Sequence, residues 1–134
     1  IDWAQKPEFA PFARHVRTWG ERYRPPPGEE DRELFDSPDL GPVFEFQEKA
    51  PGTCPGLDRI HCFCYPAALP DGTVSGDIPA ISDGARRLAS GIAGLLYRED
   101  VEHHFAALQA YAEPDLLGDE WTPADTSQRI LPSP

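Results

Sequence analysis

The residues with the clearest chemical possibilities form a short step, Ser75-Gly76-Asp77, ahead of an amphipathic segment. Gly76 lets a backbone come close to a ligand. The Asp77 carboxylate can accept hydrogen bonds from the hydroxyls of a ribose or ribityl chain. A helix starting near Ser82, a good N-cap residue, would aim its first N–H groups and the positive end of its dipole at a pyrophosphate. The same residues also suit an ordinary strand-to-helix turn capped by Asp. His61, inside a strand beside this step, is the best-placed histidine for a site. His103 and His104 are adjacent on a predicted helix, so they face different ways and do not form a chelating pair.

Cys54, Cys62 and Cys64 are the cysteines of the chain. Their odd number argues against a disulfide framework. Cys62 and Cys64, two apart on a strand, share one face. Cys54, Cys62, Cys64 and His61 could be drawn as a zinc set, but there is no second CxxC and His61 points the other way. Free interior thiols are the expectation, with no metal. A Ser-nucleophile motif, HExxH, a Walker loop and GxGxxG are all missing from the sequence.

Several elements must position these residues. Phe9, Phe12, Val16, Trp19 and Tyr23 fall at helical spacing, which predicts a helix from about Pro11 to about Trp19. Trp3, Phe9 and Phe12 are expected to face the core. Residues 24–42, RPPPGEEDRELFDSPDLGP, read as an irregular acidic, Pro-rich surface arm pinned by Leu34 and Phe35. Val43 to Gln47 alternates as a short strand. Arg59 to Tyr65 reads as a central strand covered on both faces, ended by Pro66. Ala85, Leu88, Ala89, Ile92, Leu95 and Leu96 then mark a helix of 3.6-residue period. Gly84, Gly91 and Gly94 weaken that helix by about 1 kcal/mol each relative to Ala, which suggests close packing against a strand or a ligand. Asp100 starts a further helix with Val101, Phe105, Leu108 and Tyr111, stopped by Pro114. Residues 1–113 are read as one segment and 114–134 as an extended tail.

The 134 residues carry 23 acidic and 12 basic side chains, a formal net charge of −11. That balance repels phosphate backbones and argues against nucleic-acid binding. No window approaches the ~20 apolar residues of a membrane span, and no basic-then-apolar start suggests a leader, so a cytoplasmic protein is expected. The chain has no Met and starts at Ile1. A fragment, a processed chain or a split subunit is the expectation.

The run FAPFARHVRTWGERYRPPPGEEDRELFDSPDLGPVFEFQEKAPG, then LDRIHCFCYPAAL, SGDIPAISDGARRLASGIAGLLYRED and AYAEPDLLGDEW, resembles the C-terminal part of bacterial NAD(P)/FAD-dependent oxidoreductases. These are flavin-containing monooxygenase-like proteins, distantly similar to the lysine and ornithine N-hydroxylases. The resemblance covers about residues 7 to 121. It implies an α/β fold: a partial Rossmann-like FAD-domain segment with few strands, three helices and long irregular loops. It implies FAD as cofactor, NADPH in the complete enzyme, and a partner chain or upstream segment that binds both. Carried over, the cofactor-facing positions are His61, Tyr65, Gly76, Asp77, Ile78 and Ser82. Cys64 and Pro66 depart from the Asn and the small residue expected around the Tyr. The alternative expectation is a non-catalytic interaction module that docks a protein partner through the acidic arm.

Overall fold

A computed structural model describes residues 2–111. The chain divides into two compact units, Ile1–Glu99 and Asp100–Pro134.

The first unit is built around one aromatic cluster. Trp3, Val16, Phe44, Phe46, Leu57, Cys62 and Ala67 are buried, with Phe9 and Phe12 packed against them. Trp3 and Phe46 stack at 6.0 Å, and Phe12 meets Phe46 edge-on at 5.3 Å. The expectation of core-facing Trp3, Phe9 and Phe12 is met. The Trp3 indole N–H donates to the Asp36 carbonyl at 2.8 Å, which satisfies its one polar atom.

No helix runs from Pro11 to Trp19. Ala13–His15 is a single 3₁₀ turn, and α1 is short, Trp19–Arg22. Between them the backbone is extended and spoken for. The Arg17 N–H donates to Gln47 and the Arg17 carbonyl accepts from Asp39, both at 2.8 Å. These tertiary bonds outweigh the weak helical propensity of β-branched Val16 and Thr18.

Around this segment the chain forms four one-pair antiparallel bridges: Val16 with Glu48, Thr18 with Pro38, Leu40 with Phe46, and Glu45 with His61. The expected strands at 43–47 and 59–65 are therefore reduced to single bridges among the described residues. The cause lies at the tip of the 40–46 hairpin. Gly41 accepts from the Phe44 N–H at 3.0 Å and donates to the Glu45 carbonyl at 2.8 Å. This is the three-residue loop whose last position is left-handed. Phe44 fills that position with φ 63°, which breaks a regular strand. On the partner side, 3₁₀ turns at Leu57–Arg59 and Tyr65–Ala67 leave few residues for pairing. Ile60 and Cys64 are exposed there, so this segment is not covered on both faces.

The arm at 24–42 is only partly a surface segment. Residues 21–33 are exposed, α2 occupies Arg32–Phe35, and Ser37, Pro38 and Asp39 are buried. Asp39 draws the arm inward. Its carboxylate accepts from Arg17 Nε at 2.7 Å and Arg22 at 3.1 Å.

After the short helix α3, Ala68–Asp71, and a 3₁₀ turn at Thr73–Ser75, α4 runs over Ile81–Glu99. Two of the three helix glycines have a packing reason. A side chain at Gly84 would strike the Val74 carbonyl and the Phe63 ring, and one at Gly91 would strike Val43. At Gly94 the nearest neighbour is the Arg98 guanidinium at 4.0 Å, so no close packing accounts for it.

In the second unit, α5 spans Val101–Ala110 with Asp100 at its N-cap position. Val101, Phe105, Leu108 and Tyr111 are exposed. The tail expected at 114–134 lies outside the described residues. No helix among the described residues is long and apolar enough to cross a membrane.

Candidate functional site

The largest described cavity, of about 670 Å³, opens between the N-terminal aromatic cluster and the 65–73 segment. Trp3, Val16, Pro66 and Leu69 give it apolar walls, while Thr18, Ser37, Lys49 and Thr73 supply polar groups. Its size falls in the range of small-molecule and cofactor sites. Tyr65 stands at its edge, 66 % exposed. Pro66 sits in the first turn of the 3₁₀ segment, where its missing N–H costs nothing. That turn places Tyr65 at the cavity edge.

The other five candidate residues do not line this cavity. His61 lies at the hairpin tip, where its Nδ1 is 2.7 Å from the Val43 carbonyl. A carbonyl only accepts, so Nδ1 is the donor in this contact. Gly76, Asp77 and Ile78 form an exposed turn ahead of α4, with Ile78 89 % exposed. Gly76 has φ −149°, and a Cβ there would meet nothing within 4 Å. Neither backbone conformation nor packing among the described residues requires glycine at this position. Ser82 is the second residue of α4 rather than its cap. The helix starts one residue earlier because the Asp77 carbonyl takes the Ile81 N–H at 2.8 Å. The Asp83 and Gly84 N–H groups are held by the Ala80 carbonyl at 3.1 and 3.2 Å. The anion-binding capacity expected at this helix start is thus partly used inside the chain.

A second cavity, of about 380 Å³, was not foreseen from the sequence. Arg17, Arg22 and Arg87 converge on it with Glu45, Gln47 and Asp71. Arg87 is the organising residue. It donates to the Pro42 carbonyl at 2.5 Å and to Asp71 at 2.8 Å, and its guanidinium lies 4.1 Å from the Phe44 ring centroid. Arg87 faces the hairpin one turn after Asp83, but no local motif marks its partners, which lie 16 and 45 residues away.

The three cysteines are free thiols: Cys62 buried, Cys54 half-buried, Cys64 exposed. Burial pushes the Cys62 thiol well above its ordinary pKa, and the neighbouring Cys64 adds to the effect. Among the described residues, no three His, Cys, Asp or Glu side chains cluster as a metal site.

The chain is similar to a FAD-dependent urate hydroxylase of Xanthomonas campestris pv. campestris, 28 % identical over 116 residues. The match covers 87 % of this chain and 24 % of the relative, so the chain spans about a quarter of that protein's length. This likeness supports a relationship to the flavin-dependent oxidoreductases and is silent on the lysine and ornithine N-hydroxylases. No family model and no solved structure matches the chain.

Proposed function

We propose that the chain supplies the C-terminal, FAD-facing portion of a flavin-dependent monooxygenase, and that a dinucleotide-binding part completes the flavin site. The observation that carries this reading is the likeness to a FAD-dependent hydroxylase along nearly the whole chain. Gly76 supports it: with no internal reason for glycine, close approach by an external group gives one. The cavity edged by Tyr65 has apolar walls from Trp3, Val16, Pro66 and Leu69, which suit one side of a flat aromatic ring system, and polar groups around them. The fold proposed for the whole is an α/β FAD domain of which this chain is a segment.

Within this reading each residue has a limited task. Gly76 lets the turn approach the ribityl–pyrophosphate chain, and the exposed Asp77 carboxylate accepts from its hydroxyls. Ile78 and Tyr65 provide apolar cover that excludes water. Ser82 offers a hydroxyl at the start of α4, and His61 offers its second ring nitrogen, Nε2. FAD, when bound, supplies the oxygen-transfer chemistry, and NADPH is the proposed reductant of the complete enzyme. Urate, from the relative's name, is the first substrate to try.

The test is co-expression with the proposed dinucleotide-binding part, supplied as a separate chain or fused ahead of this one. The two-part assembly should purify yellow with stoichiometric FAD, while the isolated chain should not. Flavin held stoichiometrically by the isolated chain, or none held by the assembly, would sink the proposal.

A further inference from the structure

The Cys62 and Cys64 sulfurs are 3.7 Å apart, in contact across one intervening residue. One sulfur is exposed and the other buried. Cys64 is extended, with φ −158° and ψ −170°, so the two side chains fall on the same side. Cys54 lies elsewhere, on the 48–54 turn, where its N–H is held by Glu48 at 2.6 Å. We propose that Cys62 and Cys64 are a redox-active thiol pair that closes to a disulfide by exchange with a small-molecule disulfide. The exposed Cys64 attacks first and the buried Cys62 resolves.

The chemistry balances in two displacements. The Cys64 thiolate attacks one sulfur of the reagent, forming a mixed disulfide and expelling one thiolate. Cys62 loses its proton to water and attacks the Cys64 sulfur, forming the internal bond and expelling the second thiolate. The protein loses two hydrogens and the reagent is reduced to two thiols. The geometry favours this order, because Cys62 is 1 % exposed and beyond reach of a bulky disulfide. Residues two apart on an extended chain are about 6.6 Å apart at Cα. That is near the upper limit for a disulfide, so the bridge is a reducible one.

Closure would be felt on both sides of the pair. The Cys62 N–H donates to the Phe44 carbonyl at 2.8 Å, and the Cys64 carbonyl accepts from the Ala67 N–H at 3.0 Å and from Ser75 Oγ at 3.1 Å. The backbone of one cysteine is thereby tied to the hairpin tip and that of the other to the turn that presents Tyr65. The inference does not depend on the flavin reading.

The experiment treats the full chain with oxidised glutathione, alkylates the remaining thiols with iodoacetamide, and reads intact and peptide masses. The expected product has lost two hydrogens between Cys62 and Cys64, carries one alkyl group on Cys54, and returns to three alkylated thiols after dithiothreitol. Cys62→Ser should stop at a stable glutathione adduct on Cys64. Cys64→Ser should form a Cys62 adduct roughly tenfold or more slowly than the unmutated chain reacts at Cys64. The time course of the unmutated chain gives the same order independently, as a transient Cys64 adduct. A wild-type chain that keeps glutathione on Cys64 without closing, or that alkylates at all three cysteines, overturns the pair. A Cys64→Ser chain that forms a Cys62 adduct at the wild-type rate overturns the order.

Discussion

The Asp39 carboxylate, 2 % exposed, accepts from Arg17 Nε at 2.7 Å while its own backbone N–H donates to the Arg17 carbonyl at 2.8 Å. Side chain and main chain thus join the same two residues twice, across 22 positions of sequence. Arg17 and Arg22 are partly exposed and regain water when Asp39 is removed. The loss is therefore smaller than the 3–5 kcal/mol of an orphaned buried charge. Asp39→Ala should destabilise the chain by about 2 kcal/mol, read as a lower urea midpoint at unchanged slope. A variant within about 0.5 kcal/mol of wild type would remove Asp39 from its structural role.

The helix glycines give a prediction of opposite signs. Ala in place of Gly favours a helix by about 1 kcal/mol where space allows. Gly94→Ala meets only the mobile end of Arg98 and should raise stability by roughly 0.5–1 kcal/mol. Gly84→Ala meets a backbone carbonyl and should lower it by about 1–3 kcal/mol. Thermal melts of the two variants side by side decide the matter, and equal shifts would contradict the packing described.

Glu21 supplies a pH dependence. Desolvation pushes its carboxyl up, but hydrogen bonds from Lys49 and the Thr18 backbone together outweigh this, and its pKa lies below the ordinary 4.5. Lys49 is 2.6 Å from Oε1, and the Thr18 N–H donates to Oε2 at 2.9 Å. A carboxyl lowered by folding stabilises above its unfolded pKa, and the contribution is lost as pH falls through the folded value. Glu21→Gln should therefore narrow the stability gap to wild type as pH drops below 4.5. Urea titrations between neutral and acid pH would show a constant gap if Glu21 is not the source.

Gly76→Ala separates the chain's own needs from those of a ligand. Open space and φ −149° mean that stability should stay within about 0.5 kcal/mol of wild type. Flavin retention by the two-part assembly should fall roughly tenfold, as dialysis against free FAD would measure. Unchanged retention would take Gly76 out of the proposed site.

The sequence showed some of this plainly and hid the rest for physical reasons. The α4 helix was legible because its apolar positions keep one period over many residues, and the costs of Gly84 and Gly91 pointed to close neighbours. The Pro11–Trp19 pattern misled, because the same apolar spacing serves a chain whose backbone is claimed by Gln47 and Asp39. The arm looked solvent-facing by composition, yet Asp39 is interior, since charge alone does not reveal a pair of arginines waiting elsewhere. Of the six candidate residues, only Tyr65 lines a described cavity. Arg87 escaped notice because its partners are distant in sequence.

Phe44 has a consequence for the order in which the molecule assembles. A left-handed conformation in a residue other than glycine is unfavourable by about 1–2 kcal/mol, and the ties that hold the tip, Arg87 on Pro42 and on the Phe44 ring, come from a helix some 45 positions later. Until α4 has docked, Phe44 at φ 63° lacks the Arg87 contacts and keeps only the local and cross-chain ties to Gly41 and Cys62. We predict a late-locking tip: in pulsed hydrogen exchange during refolding, the Gly41 and Phe44 amides, both bonded within the tip, gain protection only after those of α4, and Arg87→Ala delays them further. Protection of the tip ahead of the helix would refute this. The part of the chain shortest in sequence, a three-residue loop, is then the last to become native.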